Sequence, residues 1–295
     1  MPSKKTVHII GGPTASGKSA LALKLAAERN GVILNADSMQ VYDALPILTA
    51  QPSEEDKEQA PHDLYGALHP NESCSAGNWR EMVISRIAQI LEEGHTPIVV
   101  GGSGLYLKAL TEGLSPIPDI PEDIRRAAAA RQKEMGNPAF HAALEKRDPV
   151  MARRFHPYHT ARLVRAWEVL EATGKTLAEW QKHPRLRPPD AWKFEITLVL
   201  PERDTLRERC DQRFLRMLEN GAAEEAEAFM ERLDKGEVHE SAPIVKALGF
   251  RALRDWISGQ TSKEEAIEKA SAQTRQYAKR QVTWFRNQVD PDKIV

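Results

Sequence analysis

The residues Gly12-Pro13-Thr14-Ala15-Ser16-Gly17-Lys18-Ser19 carry the pattern G-x-x-x-x-G-K-S. Each residue type in it acts on an anion. Glycines let backbone amides converge on a negatively charged oxygen, Lys18 adds a point charge, and the Ser19 hydroxyl stands where it can enter a magnesium shell. The run Val7-His8-Ile9-Ile10 in front reads as a buried strand, and the residues from Ser19 to Arg29 read as a helix. That is the strand–loop–helix setting the motif requires. A phosphate or diphosphate is therefore expected at Gly12 to Ser19. The loop alone does not say whether that phosphate is transferred or discarded.

Two other strand ends bear on the choice. Hydrolases and kinases with such a loop place an acidic residue at the end of a later apolar strand to hold magnesium. Here the candidate strand, Thr96 to Val100, runs into Gly101, Gly102 and Ser103 with no acid. The strand that starts at Gly31 does end in one, Asp37, followed by Ser38. Such strand ends are where sites gather in open α/β sheets. One carboxylate without the usual magnesium acid argues against a motor or a GTPase. It leaves a small kinase, or a transferase for which diphosphate is the leaving group. Elsewhere the candidates thin out: Cys74 and Cys210 are in no metal or redox spacing, and His156 and His159 have no third ligand nearby.

These residues need a scaffold that brings strand ends together. The first part of the chain alternates strand-length apolar runs with helical stretches, which argues for a parallel sheet with crossover helices. A proline-dense break near Pro116, Pro118 and Pro121 is followed by helical pattern alone, up to a second proline cluster at Pro188 and Pro189. The run from Lys193 to Leu200 supplies one more strand, so the chain is expected to return to the same sheet. The acidic stretch from Glu219 to Glu237 reads as an exposed amphipathic helix. The fold class is α/β: a P-loop NTPase-like parallel sheet core with an inserted all-helical domain and C-terminal helices. The expected boundaries are 1–116 for the first part of the core, 117–190 for the insertion and 191–295 for the return strand and C-terminal helices.

With 295 residues, 33.0 kDa and a net charge of -1, the composition is that of an ordinary globular protein. The charge is uneven along the chain. Residues 117–190 carry 14 basic and 10 acidic groups, whereas residues 1–116 carry 9 and 13. The insertion is thus the surface best suited to a polyanion, with a solvated helical face as the plain alternative. No segment approaches the roughly 18 apolar residues of a membrane span. A cytoplasmic protein without membrane partners, and a monomer, is the expectation.

Read in order, "GPTASGKSALALKLA", "NADSMQVY", "VGGSGLYLKAL", "RLVRAWEVLEATGK", "QRFLRMLENG", "KALGFR" and "QYAKRQVTWFR" resemble the bacterial tRNA dimethylallyltransferases, over residues 8–288. The resemblance implies transfer of a dimethylallyl group from dimethylallyl diphosphate to the exocyclic amine of the adenosine 3′ of the anticodon in tRNA, with Mg2+. It makes Asp37 the base that orients the amine and takes its proton. Ser103, where the family more often has threonine, is expected near the adenine and Asp37. The loop from Gly12 to Ser19 and Arg213 would hold the diphosphate, with Ser19 on the metal. The implied tRNA contacts are Asp37, Ser38, Met39, Gln40, Ser103 and Arg125; Ala161, Arg162, Leu163, Val164 and Arg165; Lys246, Ala247, Leu248, Gly249, Phe250 and Arg251; and Lys279, Arg280, Gln281, Val282, Thr283, Trp284, Phe285 and Arg286. The segment with Tyr158 and His159 departs from the usual family wording.

The local chemistry agrees with that implication. An allylic diphosphate leaves as an anion that loop amides, Lys18 and magnesium would stabilise. An aryl-type amine is a poor nucleophile and needs a carboxylate. A base stacked in an anticodon loop must be extruded to meet one, so the RNA needs basic and planar side chains to hold it. The last helix, opened by a capping box at Ser262, is expected to bury Ile267, Ala270, Tyr277, Ala278, Trp284 and Phe285 and to show Arg275, Lys279 and Arg286 beside them. The RNA would lie across core and insertion, with donor and acceptor entering from opposite sides. Three other readings stay open on the residues: a small-molecule phosphotransferase, a prenyltransferase for free adenine nucleotides, and a non-catalytic RNA-binding protein.

Overall fold

The structure, a computed structural model, describes residues 4–295. The chain forms two compact units, the described part of Met1–Thr111 with Pro188–Val295, and Glu112–Arg187. The helical unit thus begins before residue 117 and ends before residue 190.

The first unit starts with β1 (Lys5–Gly11), the loop, α1 (Lys18–Arg29) and β2 (Gly31–Asn35). Two short helices, α2 (Pro46–Thr49) and α3 (Glu54–Gln59), precede β3 (His62–Asp63), α4 (Ala76–Glu92), β4 (Thr96–Gly101) and α5 (Gly104–Glu112). The second unit contains α6 (Glu122–Glu145), α7 (Pro149–Arg154), α8 (Thr160–Thr173) and α9 (Leu177–Trp180). The first unit resumes with β5 (Trp192–Leu198), α10 (Arg203–Glu219), α11 (Ala222–Asp234), a 3-10 turn at Pro243–Lys246, α12 (Phe250–Ile257), α13 (Lys263–Gln288) and β6 (Lys293–Ile294).

The six strands form one sheet in the order β3-β2-β4-β1-β5-β6, and every pairing is parallel. Both faces are covered, which is why the strands read as continuous apolar runs rather than alternating ones. Ile9, Leu34 and Val99 pack toward Trp79, Val83 and Ile87 of α4 and Phe285 of α13. Their neighbours Ile10, Ile33 and Ile98 pack on the other face against Ala22 and Ala26 of α1. The register pairs Gly11 with both Gly101 and Leu198, and Asn35 with Val100. The C-terminal ends of β1, β2 and β4 therefore lie side by side, and the residues that follow them share one edge of the sheet. Four strands coincide with the apolar runs. The sequence reading missed β3 and β6, because two residues each are too few to show a period.

The helical unit has its own core around Phe140, Leu144, Leu163 and Trp167. Helix α8 stops at Gly174, whose φ of 68° lets its N–H turn back to the Leu170 carbonyl at 2.9 Å. Helix α6 is broken at Gly136, ahead of Pro138. The guanidinium groups of Arg131 and Arg147 lie 5.0 and 4.7 Å from the Trp167 ring, so part of this unit's basic charge packs on its own aromatic core.

Candidate active site

The loop takes its shape from two residues with positive φ, Ala15 (61°) and Gly17 (94°). Lys18 opens α1 and folds back so that its ammonium donates to the Pro13 carbonyl at 3.2 Å. Ser16 is buried, and its hydroxyl has no partner among the described residues. That oxygen faces Gly12, where a Cβ would lie 2.9 Å from it, so the glycine leaves it room. The residues from Ala15 to Ser19 line an open cavity of about 1030 Å³, faced by Arg209, Arg213 and Arg216 of α10. Spaced on one helical face, these arginines and Lys18 outnumber Glu54 and Glu55, which line the same cavity, and leave it cationic. Arg209 also donates to the Ser16 carbonyl at 3.1 Å.

Beside it lies a second cavity of about 280 Å³, lined among others by Thr14, Asp37, Ser38, Tyr277 and Arg280. Arg213 and Met217 line both cavities. The Asp37 turn is built by neighbouring strand ends. The buried Asn35 side chain accepts from the Asp37 N–H at 2.7 Å and donates to the carbonyls of Asp37 (3.0 Å) and Leu64 (3.1 Å). The Asp37 carboxylate accepts from the Met39 N–H at 2.9 Å, and the Ser38 N–H donates to the Ser103 hydroxyl at 2.9 Å. The turns after β2 and β4 are thus joined directly.

Charge links the two cavities. Burial pushes the Lys18 ammonium down to about 8, the Asp37 carboxylate opposes this and Arg213 adds to it. Burial likewise lowers Arg213, with Asp37 opposing. The Tyr277 phenol is pushed up to about 12 by burial and by the Asp37 charge. Asp37 therefore acts on the cation of the phosphate loop, on the shared arginine and on an aromatic hydroxyl of its own cavity.

Several expected contacts have another place in the structure. Leu163, Ala247, Phe250, Gln281 and Phe285 are buried, so their side chains belong to the core rather than to a surface that meets RNA. Gln40 donates to the Thr49 and Ala50 carbonyls at 2.8 and 2.6 Å, and Arg125 to the Ile120 carbonyl at 3.1 Å. The expected basic stripe loses Arg275, which is ion-paired to Asp211 of α10. Lys279, Thr283, Arg286, Lys246, Arg251, Ala161 and Arg162 are exposed, while Val164, Val282 and Trp284 are half-buried and Gly249 is buried. Lys246 and Leu248 line the cavity that holds Asp37. Tyr277, expected in the core, is half-buried and lines that cavity too, with Arg280 stacked 5.6 Å from its ring. Sequence reasoning missed Asn35 and Arg209. An asparagine at the last position of an otherwise apolar strand was the available signal for the first.

Among the described residues, no three His, Cys, Asp or Glu come together to hold a metal, and no helix is long and apolar enough to cross a membrane. The donor set instead suits an ion shared with an anion: the exposed Ser19 sits on the rim of the cationic cavity.

A phosphate loop at the end of β1, facing a carboxylate at the end of β2 across one sheet edge, defines a P-loop α/β protein of the kind that carries an inserted helical unit. The profile of the IPP transferase family matches residues 40–288, and the chain belongs to that family. It is 48% identical over 289 residues to a tRNA dimethylallyltransferase of Rhodospirillum centenum, covering 98% of this chain and 91% of the relative. It is 51% identical over 281 residues to one of Paramagnetospirillum magneticum, covering 95% and 88%. Among solved structures it is similar to a tRNA isopentenylpyrophosphate transferase from Bacillus halodurans, with TM-score 0.67, 33% identity, and 99% and 89% of the two chains covered. It is also similar to a eukaryotic dimethylallyltransferase acting on tRNA, with TM-score 0.82, 28% identity, and 95% and 70% covered.

Proposed function

We propose that the protein transfers a dimethylallyl group from dimethylallyl diphosphate to the exocyclic amine of the adenosine 3′ of the anticodon in tRNA. The observation that carries this reading is the joining of two cavities at Arg213, one cationic and lined by the phosphate loop, the other lined by Asp37. A phosphotransferase would need its acceptor at the terminal phosphate. Here the acid lines the second cavity, which shares Arg213 with the first, and the carbon of an allylic diphosphate held by the loop would reach toward it.

The bond from the allylic carbon to oxygen breaks as the bond from carbon to the adenine nitrogen forms, and the nitrogen's proton passes to Asp37. The leaving diphosphate keeps its electron pair and gains charge, which the loop amides, Lys18 and Arg213 are set to stabilise. Ser19 would hold Mg2+, which would supply charge neutralisation to the leaving group. Ser103 contributes by holding the Ser38 N–H, and so the turn that aims Asp37. The extruded adenine would enter past Tyr277 and Arg280, which offer a planar face and a cation. Exposed Lys246, Arg251, Lys279 and Arg286, and on the helical unit Arg162, would meet the RNA backbone. The enzyme would work in the cytoplasm as a monomer.

The experiment is an incubation of the protein with dimethylallyl diphosphate, Mg2+ and unmodified tRNA, followed by nucleoside mass analysis. The expected result is adenosine heavier by one dimethylallyl group, with diphosphate released in equal amount. No modified nucleoside, together with ATP consumption in the absence of isoprenoid, would replace this reading with a phosphotransferase.

A further inference from the structure

The phosphate loop and the Asp37 turn follow different strands, yet transfer requires the leaving group and the base to be held at a fixed separation. Misplacement by about 1 Å can cost on the order of 10²-fold in rate. One side chain spans the gap. Gln281 of α13 is 6% exposed. Its Oε1 accepts from the Thr14 N–H at 2.9 Å, and its Nε2 donates to the Gly102 carbonyl at 2.9 Å. The next residue, Ser103, holds the Ser38 N–H at 2.9 Å, and Ser38 follows Asp37. Three hydrogen bonds therefore run from the phosphate loop to the acid's turn, with the glutamine amide as the middle link.

Its point of attachment is specific. Thr14 is the loop residue that lines the Asp37 cavity, whereas Ala15 to Ser19 line the other. The Thr14 N–H is occupied by Gln281. The space is equally restricted: a Cβ on Gly102 would lie 2.3 Å from Gln281 Nε2, so the glycine permits the close approach.

We infer that Gln281 is a positioning residue for the transfer, a strut that sets the separation between the diphosphate cradle and Asp37. The inference rests on the function proposed above, but its first test does not. Amide hydrogen exchange on the protein without substrates should show Thr14 and Ser38 losing protection together, by at least about tenfold, in Gln281→Met, while α13 amides stay protected. Ser38 exchange unchanged from wild type in Gln281→Met would overturn the strut, whatever the enzymatic rates. In the transfer assay, Gln281→Met should lower kcat by about 30- to 100-fold and leave the Kd of a non-reactive allylic diphosphate analogue within about threefold.

Gln281→Glu separates positioning from packing. As a carboxylate it cannot donate to the Gly102 carbonyl; once protonated it restores both donor and acceptor. Burial and the Gly102 carbonyl raise such a carboxyl, and the Thr14 N–H that donates to it opposes them. The ratio of its rate to wild type should therefore rise at least about tenfold from pH 8.5 to pH 6. A flat ratio, or variants that lose only melting temperature and keep wild-type kcat per folded molecule, would make Gln281 a packing residue and overturn the inference. An inactive wild type would refute the proposed function instead, and the exchange result would still decide the strut.

Discussion

Lys18 is held where a positive charge is poorly solvated, and that has a consequence with a definite sign. Its ammonium is lowered from 10.5 to about 8 by burial, with Asp37 the opposing influence. A bound diphosphate adds negative charge beside it and raises it again. Binding therefore takes up a proton above pH 8, and affinity for an allylic diphosphate analogue should be level between pH 7 and 7.5 and fall as pH rises through 8 to 10, by up to tenfold per unit. Titration calorimetry in two buffers of different ionisation enthalpy would read the proton uptake directly. Lys18→Gln should bind weakly and show no such uptake; a retained pH slope would assign it to another group. Without ligand the sign reverses: the folded state bears the cost of a buried ammonium below pH 8 and is relieved of it as pH rises toward 10.5. Asp37→Asn tests the partner. Asparagine keeps an acceptor for the Met39 N–H, so the turn should survive, while kcat falls by about 10²- to 10⁴-fold with the analogue's Kd little changed. Wild-type turnover in Asp37→Asn would remove Asp37 as base. The places of both residues were legible in the sequence for the same reason, a lysine inside a glycine-bounded loop and an acid at the end of an apolar strand, whereas the role of base for Asp37 came only with the family resemblance. Gln281 was not legible, because its meaning lies in two backbone groups more than a hundred residues away.

Among the elements, α13 shows how a helix face can be read correctly, with Ala270, Ala278 and Phe285 buried as expected, while other members of that face are misjudged. Weighting by hydrophobicity favours Ile267, Tyr277 and Trp284, yet these are half-buried, and the buried residues are Ala266, Ala270, Ser271, Thr274, Ala278, Gln281 and Phe285. Small residues win because α10 approaches closely there, with Cys210 and Leu206 packed on Ala278. A glutamine at such a core position was the missed signal. The helix start, by contrast, was readable: Ser262 accepts from the Glu265 N–H at 3.1 Å, and Glu265 returns the bond to the Ser262 N–H at 2.9 Å. This cap and Gln281 sit toward opposite ends of α13, so their loss should be felt differently. Ser262→Ala should lower unfolding stability by about 1 kcal/mol, read by urea denaturation, and leave kcat within about twofold at temperatures where the protein is folded. A loss of kcat comparable to that of Gln281→Met would mean that α13 transmits strain along its length and that Gln281 is not a local strut. The sheet was legible through its four longer strands, whereas β6 forms through the Ile196 N–H donating to Asp292 and the Leu200 N–H to Val295, contacts that no run of residues announces.

At the scale of the molecule, a net charge of -1 hides an insertion with an excess of basic groups. How much of that excess can meet a polyanion depends on what each cation already touches. In the helical unit Arg147 is paired with Glu171, and Arg165 lies 3.4 Å from Glu168, whose own carboxyl is pushed up by burial. Arg125 is tied to a carbonyl. Arg162 is exposed, and its guanidinium stacks 5.8 Å from the Phe155 ring, which holds it in place without neutralising it. If this unit meets tRNA as proposed, the two arginines on the same face of α8 should behave unequally. Each phosphate contact releases counterions and adds about 0.7 to 0.9 to the slope of log affinity against log salt. Arg162→Ala should then reduce the slope for tRNA binding by about that amount and weaken binding without regard to sequence. Arg165→Ala should change it by less, because the Glu168 contact must be given up before Arg165 reaches a phosphate. Filter binding between 50 and 300 mM salt measures both slopes. Equal slopes for wild type and Arg162→Ala would move the RNA off this face of the helical unit and leave the exposed cations Lys246, Arg251, Lys279 and Arg286 to carry the backbone contacts.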